Sequence, residues 1–180
     1  MECLLHIAYR LEIKCWQIRT PEHREKLTMT KKTIQKEFKR RLGLLIDIPK
    51  HGSGSSNDGN TARRFFENPK VTADITGLDE KIIEKFSVIV SVLACGRKID
   101  VGAFRAYCNC TADYYVRFYG WYYMPQSVHR ILIHGADIIK AATLPIGCLS
   151  EEPQECRNKD LKRFREKRAR KCSRYVDKKY

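Results

Sequence analysis

Apolar residues along this chain recur at helical spacing, and no run alternates convincingly with period two. Residues 2–18 place Leu4, Leu5, Ile7, Ala8, Leu11 and Trp16 on one broad apolar face, which predicts an amphipathic helix. Thr20-Pro21-Glu22 then supplies a cap, a proline at the first helical position and an acid in the first turn. The helix it starts is predicted to run to about Arg41 and stop at Gly43. Its apolar stripe of Leu27, Ile34 and Phe38 is thin, so it docks loosely or against a charged partner. In "LLIDIPKHGSGSSNDGN" (44–60), Leu45, Ile46 and Ile48 suit a short strand or a loop anchor, and the Gly, Ser and Asn cluster suits no regular element. Helical spacing resumes over 61–68, 69–75, 80–95 and 101–119, with Asn68-Pro69, Asp79 and Asp100 at the starts and Gly96 as a stop. A turn at "WYYMP" (121–125) precedes a helix over 126–142 that Gly135 is positioned to break, and Ser150 is placed to cap a last one. The expected fold class is mainly α, divided into an N-terminal helical pair (1–43), a loop or linker (44–60), a helical core (61–148) and a basic C-terminal helix (149–180).

Charge changes this picture more than composition does. Among 180 residues, 35 Lys and Arg outnumber 21 Asp and Glu, a formal net charge of +14 that predicts a polyanionic partner such as nucleic acid. Twelve bases against three acids lie between Arg157 and Lys179, which concentrates +9 of that charge in the last stretch. The eight cysteines include no C-x-x-C, and most sit in apolar helical patterns, which argues for free thiols in a reducing compartment. Glu2, Arg10, Glu12 and Lys14 interrupt any signal-peptide core. The longest apolar run, "FSVIVSVLAC" (86–95), is too short to span a bilayer, so no membrane partner is expected.

Four stretches are candidates for chemistry. In "LSEEPQECRNKDLKRFREKRARK" (149–171), Glu151, Glu152 and Glu155 precede a dense run of bases, including Lys159, Lys162, Arg163, Arg165 and Arg168. Acids first and bases last complement a helix dipole, but that effect fades within a turn and this run covers several. A face that follows phosphates accounts for its length, and a solvated tail is the alternative. In "SVHRILIHG" (127–135), His129 and His134 are five apart, which on an ideal helix turns their rings about 140° from each other. They share a ligand only where the helix distorts or ends, as Gly135 permits. Zinc would need two more ligands, for which Cys108 and Cys110 are the nearby pair. The aromatic run "YYVRFYGWYY" (114–123) suits a core or a base-stacking surface. "SNDGNTARRFF" (56–66) joins a loop to Arg63 and Arg64 and suits a phosphate cradle or a solvated turn.

Taken in order, "LEIKCWQIR", "KEFKRRLGL", "NDGNTARRFF", "HRILIH" and "ECRNKDLKRFRE" give the chain a resemblance to one family. It resembles the C-terminal catalytic region of the V(D)J recombination-activating protein large subunit and the RAG-like, Transib-related DDE transposases. The resemblance spans most of the length and is strongest in the last segment, where it makes Glu155 the third metal-binding acid of a DDE nuclease. Such enzymes cut and join DNA through in-line attack at phosphorus, with two divalent ions, Mg or Mn, held by three carboxylates on a ribonuclease-H-like fold. It therefore implies a nuclear DNA-binding protein with a second copy or a second recombinase subunit as partner, and zinc at His129 and His134.

The chain also departs from the family. The first two catalytic acids would lie upstream of Met1, and the family's two zinc cysteines, spaced C-x4-C, have no counterpart. One carboxylate cannot hold two ions, so the chain alone is expected to be inactive as a nuclease. The expectation is a helical, bundle-like remnant of the ribonuclease-H-like fold, made of insertion helices plus the third-acid helix, with the sheet absent. Helix 2–18 would then leave its apolar face uncovered. A domesticated structural or interaction protein and a non-catalytic basic DNA-binding module are the alternatives.

Overall fold

A computed structural model describes residues 1–49, 55–149 and 152–167. The protein is mainly helical, and among the described residues there is no strand beyond an isolated bridge between Pro49 and Ser55. The helices are α1 (Glu2–Ala8), α2 (Pro21–Leu42), α3 (Gly59–Glu67), α4 (Pro69–Thr76), α5 (Glu80–Ala94), α6 (Val101–Tyr119), α7 (Gln126–His129), α8 (Gly135–Ala141) and α9 (Glu152–Lys167). A π-helical turn, Arg130–His134, runs between α7 and α8, and a 3-10 turn, Ile146–Leu149, precedes α9.

The starts of α2 to α6 fall where a short polar side chain can accept an otherwise unpaired N–H. Thr20 accepts from His23 N–H at 3.3 Å, Asp58 from Thr61 at 2.9 Å and Asn68 from Val71 at 3.2 Å. Asp79 accepts from Lys81 at 2.8 Å and Asp100 from Ala103 at 3.0 Å. Gly43 ends α2 with φ 62° and Gly77 ends α4 with φ 72°, a conformation that favours residues without a Cβ. The cap expected at Ser150 lies outside the described residues.

Three expectations need correction. The first helix stops at Ala8 rather than reaching residue 18. Beyond it the N–H groups of Arg10 and Leu11 reach back only three residues, to Ile7 and Ala8, and Lys14 takes φ 47°, which no right-handed helix passes through. Nor is the apolar face of this segment bare. Leu4, Leu5 and Ile7 are at most 1% exposed, and the Cys3 thiol meets the Tyr115 hydroxyl of α6 at 3.6 Å. Thirdly, Gly135 does not break the helix over 126–142. The helix continues through it but widens just before, and Gly135 lies where a Cβ would stand 3.3 Å from the Phe104 ring. Its absent side chain lets α8 sit directly on α6.

One buried cluster draws on residues from Leu4 to Ala136. Phe38 of α2 stacks on Phe65 of α3 with ring centroids 5.5 Å apart, and Phe66 meets Phe65 edge-on at 5.0 Å. Ile82, Ile83 and Ile89 supply α5, Tyr115 supplies α6 and Leu132 the π turn. Burying each such side chain contributes roughly 1.5–3 kcal/mol. Buried hydroxyls are satisfied locally, Thr72 donating to the Phe65 carbonyl at 2.7 Å and Thr76 to the Thr72 carbonyl at 2.6 Å. Leu44 and Ile46 are buried while Leu45 and Ile48 are exposed, so the segment after α2 anchors a loop. Cys3, Cys15, Cys95, Cys108, Cys110 and Cys148 are free thiols.

Candidate functional site

Of the bases singled out in the last segment, Lys159, Lys162, Arg163 and Arg165 lie on α9, whose Arg157–Arg165 side chains are all exposed. Successive residues turn by about 100°, so Lys159, Lys162 and Arg163 share one face and Arg165 flanks it. Leu161 and Phe164 fall on the opposite side, and both are more than half exposed. A helix that keeps its long cations in water, with no carboxylate but Asp160 among Arg157–Arg165, presents a field rather than a packing surface. The backbone register puts position 155 one turn before 159 and two before 162, in line with the cationic face. Arg168 and Glu151 lie outside the described residues.

The second basic surface is less free than the sequence suggests. Arg64 donates through Nη2 to the Leu42 carbonyl and so takes part in closing α2, while Arg63 donates to Asn60 Oδ1 at 3.1 Å. On α2, Arg40 pairs with Glu37 at 2.6 Å and Arg41 with Asp74 at 3.4 Å. Lys32, Lys36 and Lys39 form an exposed row at i, i+4 and i+7. The loop leading to α3 is fixed by Asp47, which itself sits at φ 50°. Its carboxylate accepts from the Tyr9 hydroxyl at 3.0 Å and from Asn57 Nδ2, and pairs with Lys31 at 3.3 Å. Burial alone would raise its pKa, but the Asn57 and Tyr9 hydrogen bonds and the Lys31 ammonium together hold it below the ordinary carboxylate range.

The π turn alters the geometry of the histidine pair. A turn closed by i to i+5 bonds brings residues five apart back over each other, where an ideal α-helix separates them. The His129 and His134 rings consequently stand 5.3 Å apart, edge to face, and both residues are exposed. Two imidazoles on one face can ligate a zinc ion, which needs two further donors for a closed site. Cys108 is buried in the core and Cys110 lies beside the Lys85 ammonium at 3.3 Å. Among the described residues no group of three or more His, Cys, Asp and Glu converges as a metal site.

The aromatic run divides between core and surface. Tyr115, Tyr119 and Tyr122 are buried, whereas Phe118 and Tyr123 are exposed. Tyr123 packs on Trp16 with centroids 5.6 Å apart, and a cavity of about 440 Å³ beside it is lined by Tyr122, Met124 and His129. Spacing alone gave no sign that Trp16 would join this group, because a helix over 2–18 would have carried it elsewhere. No helix among the described residues is long and apolar enough to cross a membrane. Set against known proteins, the chain matches no family model, and no curated protein gives a match.

Proposed function

We propose that this chain is a DNA-binding fragment of RAG-like DDE transposase descent, acting in the nucleus and inactive as a nuclease alone. Its helical core stands for the insertion helices of a ribonuclease-H-like catalytic region, and Glu155 for the third acid. What carries the proposal is α9: exposed cations in helical register, with no residue buried between Arg157 and Arg165. Lys159, Lys162, Arg163 and Arg165 contact successive phosphates, and Arg168 extends the series. Arg63 and Arg64 add a weaker contact, since both side chains already have partners. Mg or Mn would belong to a centre completed by two carboxylates that these residues do not supply, such as those of a second recombinase subunit. His129 and His134 hold zinc weakly.

A salt titration of duplex affinity tests the phosphate contacts. Replacing Lys162, Arg163 and Arg165 together by Ala is expected to weaken binding equally on two unrelated duplexes. It should also flatten log K against log salt by roughly 0.9 for each phosphate left unneutralised. With Mg or Mn added, the duplexes stay intact. An unchanged slope would make α9 a solvated tail, and metal-dependent nicking abolished by Glu155→Ala would mean the chain is a complete nuclease.

A second reading, a non-catalytic basic DNA-binding module, is favoured by α1. Its apolar face is covered by the chain's own helices, as a self-sufficient domain requires.

A further inference from the structure

The α5–α6 corner carries an apolar groove that DNA binding leaves unused. Its volume is about 530 Å³, and it opens to solvent along one side. Ile89 and Phe104, both buried, form the floor, and Val88, Val92, Ile99 and Ala103 form the walls. Val88 is 43% exposed, a large apolar surface for a residue in mid-helix. A second groove of about 480 Å³, between the α6 start and the segment after α8, shares Lys98 and Ile99 with the first. Leu144 projects from it, 56% exposed.

Charge selects the occupant. Arg97, Lys98 and Lys140 line the two grooves, and among the described residues no carboxylate forms an ion pair with any of them. Asp137 lies in the field of Lys140 but is held by Arg105 at 2.6 Å. The carboxylate in the lining, Asp100, is occupied in capping α6. Farther along, Lys85 covers the face of Tyr107, with its ammonium 5.0 Å from the ring centroid. An apolar trough with cations at its edges complements a segment that is apolar on one face and acidic on its flanks. The α5 wall from Val88 to Cys95 extends about 10 Å, or two helical turns, which suits side chains at i, i+3, i+4 and i+7 of a docked helix.

We propose that this groove receives an acidic amphipathic helix from a partner protein, with its apolar face against Val88, Val92 and Ile99 and its carboxylates on Arg97, Lys98 and Lys140. Nucleic acid fits less well, because few rings in the lining are open for stacking and its floor is aliphatic and Phe104. A partner held here leaves α9 free to bind phosphate, so the chain would join an acidic protein to DNA.

The test is fluorescence anisotropy of a labelled helical peptide of roughly four turns, with Leu at i, i+3, i+4 and i+7 and Glu on both flanks. It is titrated with the full chain beside a scrambled peptide of the same composition. The ordered peptide is expected to bind at least about tenfold more tightly than the scrambled one. Val88→Glu, at an exposed position, is expected to reduce its binding about tenfold, and Arg97→Glu with Lys98→Glu to reduce it as much. Circular dichroism and melting of both variants check that they fold, and an unchanged slope of log duplex affinity against log salt keeps the result separate from the α9 contacts. Equal binding of scrambled and ordered peptides would reduce the interaction to general attraction by a +14 chain and overturn the proposal. Unchanged peptide binding by both folded variants would overturn it too, as would displacement of the peptide by low laurate with no response to the charge reversal, which would assign the groove to an acyl ligand.

Discussion

Asp47 gathers more interactions than most side chains in this protein, and it does so from a strained backbone position. Its carboxylate joins Tyr9 after α1, Lys31 of α2 and Asn57 before α3, while its own N–H donates to Asn57 Oδ1 at 2.9 Å. Gln35 of α2 adds a bond to the neighbouring Ile46 carbonyl at 2.9 Å. Asp tolerates positive φ better than most residues, because its short polar side chain bonds locally. Removing it leaves the Tyr9 hydroxyl without its acceptor and puts a less suitable residue at φ 50°. Asp47→Ala is therefore expected to cost about 2 kcal/mol, read as a lower denaturant midpoint at unchanged slope. Because folding lowers the pKa of this carboxyl, its stabilisation is present above the unfolded carboxylate pKa and is lost as pH falls through the folded value. Thermal melting of Asp47→Asn should accordingly decline less than wild type on acidification below about pH 4. None of this was legible in "LLIDIPK", where Asp47 looks like an ordinary loop acid.

For elements, the π turn is the informative case. The 126–142 segment has the apolar spacing of a helix, and it is helical throughout, but one widened turn changes which side chains meet. Tight seating of α8 on α6 through Gly135, and of Leu132 in the core, holds that turn in place. Periodicity cannot register it, because an extra residue in one turn disturbs the pattern no more than an ordinary exception. Two imidazoles without further donors hold zinc only weakly, so the purified protein should contain substoichiometric metal. Titration should show weak binding that His129→Ala abolishes. Tight zinc at one ion per chain would mean that donors beyond the described residues complete the site.

At the scale of the whole molecule, the core and the basic helix are expected to be separable. Residues from α1 to α8 share one buried cluster, whereas α9 contributes no buried residue between Arg157 and Arg165. A chain ending at Leu149 should melt within about 0.5 kcal/mol of full length, since exposed segments add little stability. It should also lose most of its duplex affinity, because the removed stretch carries the dense run of bases from Arg157 onward, +9 before the three glutamates ahead of it are counted. A large drop in melting temperature would show α9 packing on the core in solution.

The sequence by itself determined the helical class, the starts at Thr20, Asn68, Asp79 and Asp100, and the ends at Gly43 and near Gly96, because caps and stops act through residues within one turn. It also determined where the charge lies, since formal charge needs no folding. What tertiary structure alone decided depends on contacts distant in the chain. Leu4, Leu5 and Ile7 are covered by helices much further along, Trp16 meets Tyr123 because the first helix ends early, and Arg64 turns back to the Leu42 carbonyl. The grooves that share Lys98 and Ile99 belong with these, because they are spaces left between α5, α6 and the segment after α8. An apolar side chain at helical spacing reads the same whether a neighbour covers it or a gap does. Only the packed chain separates the two.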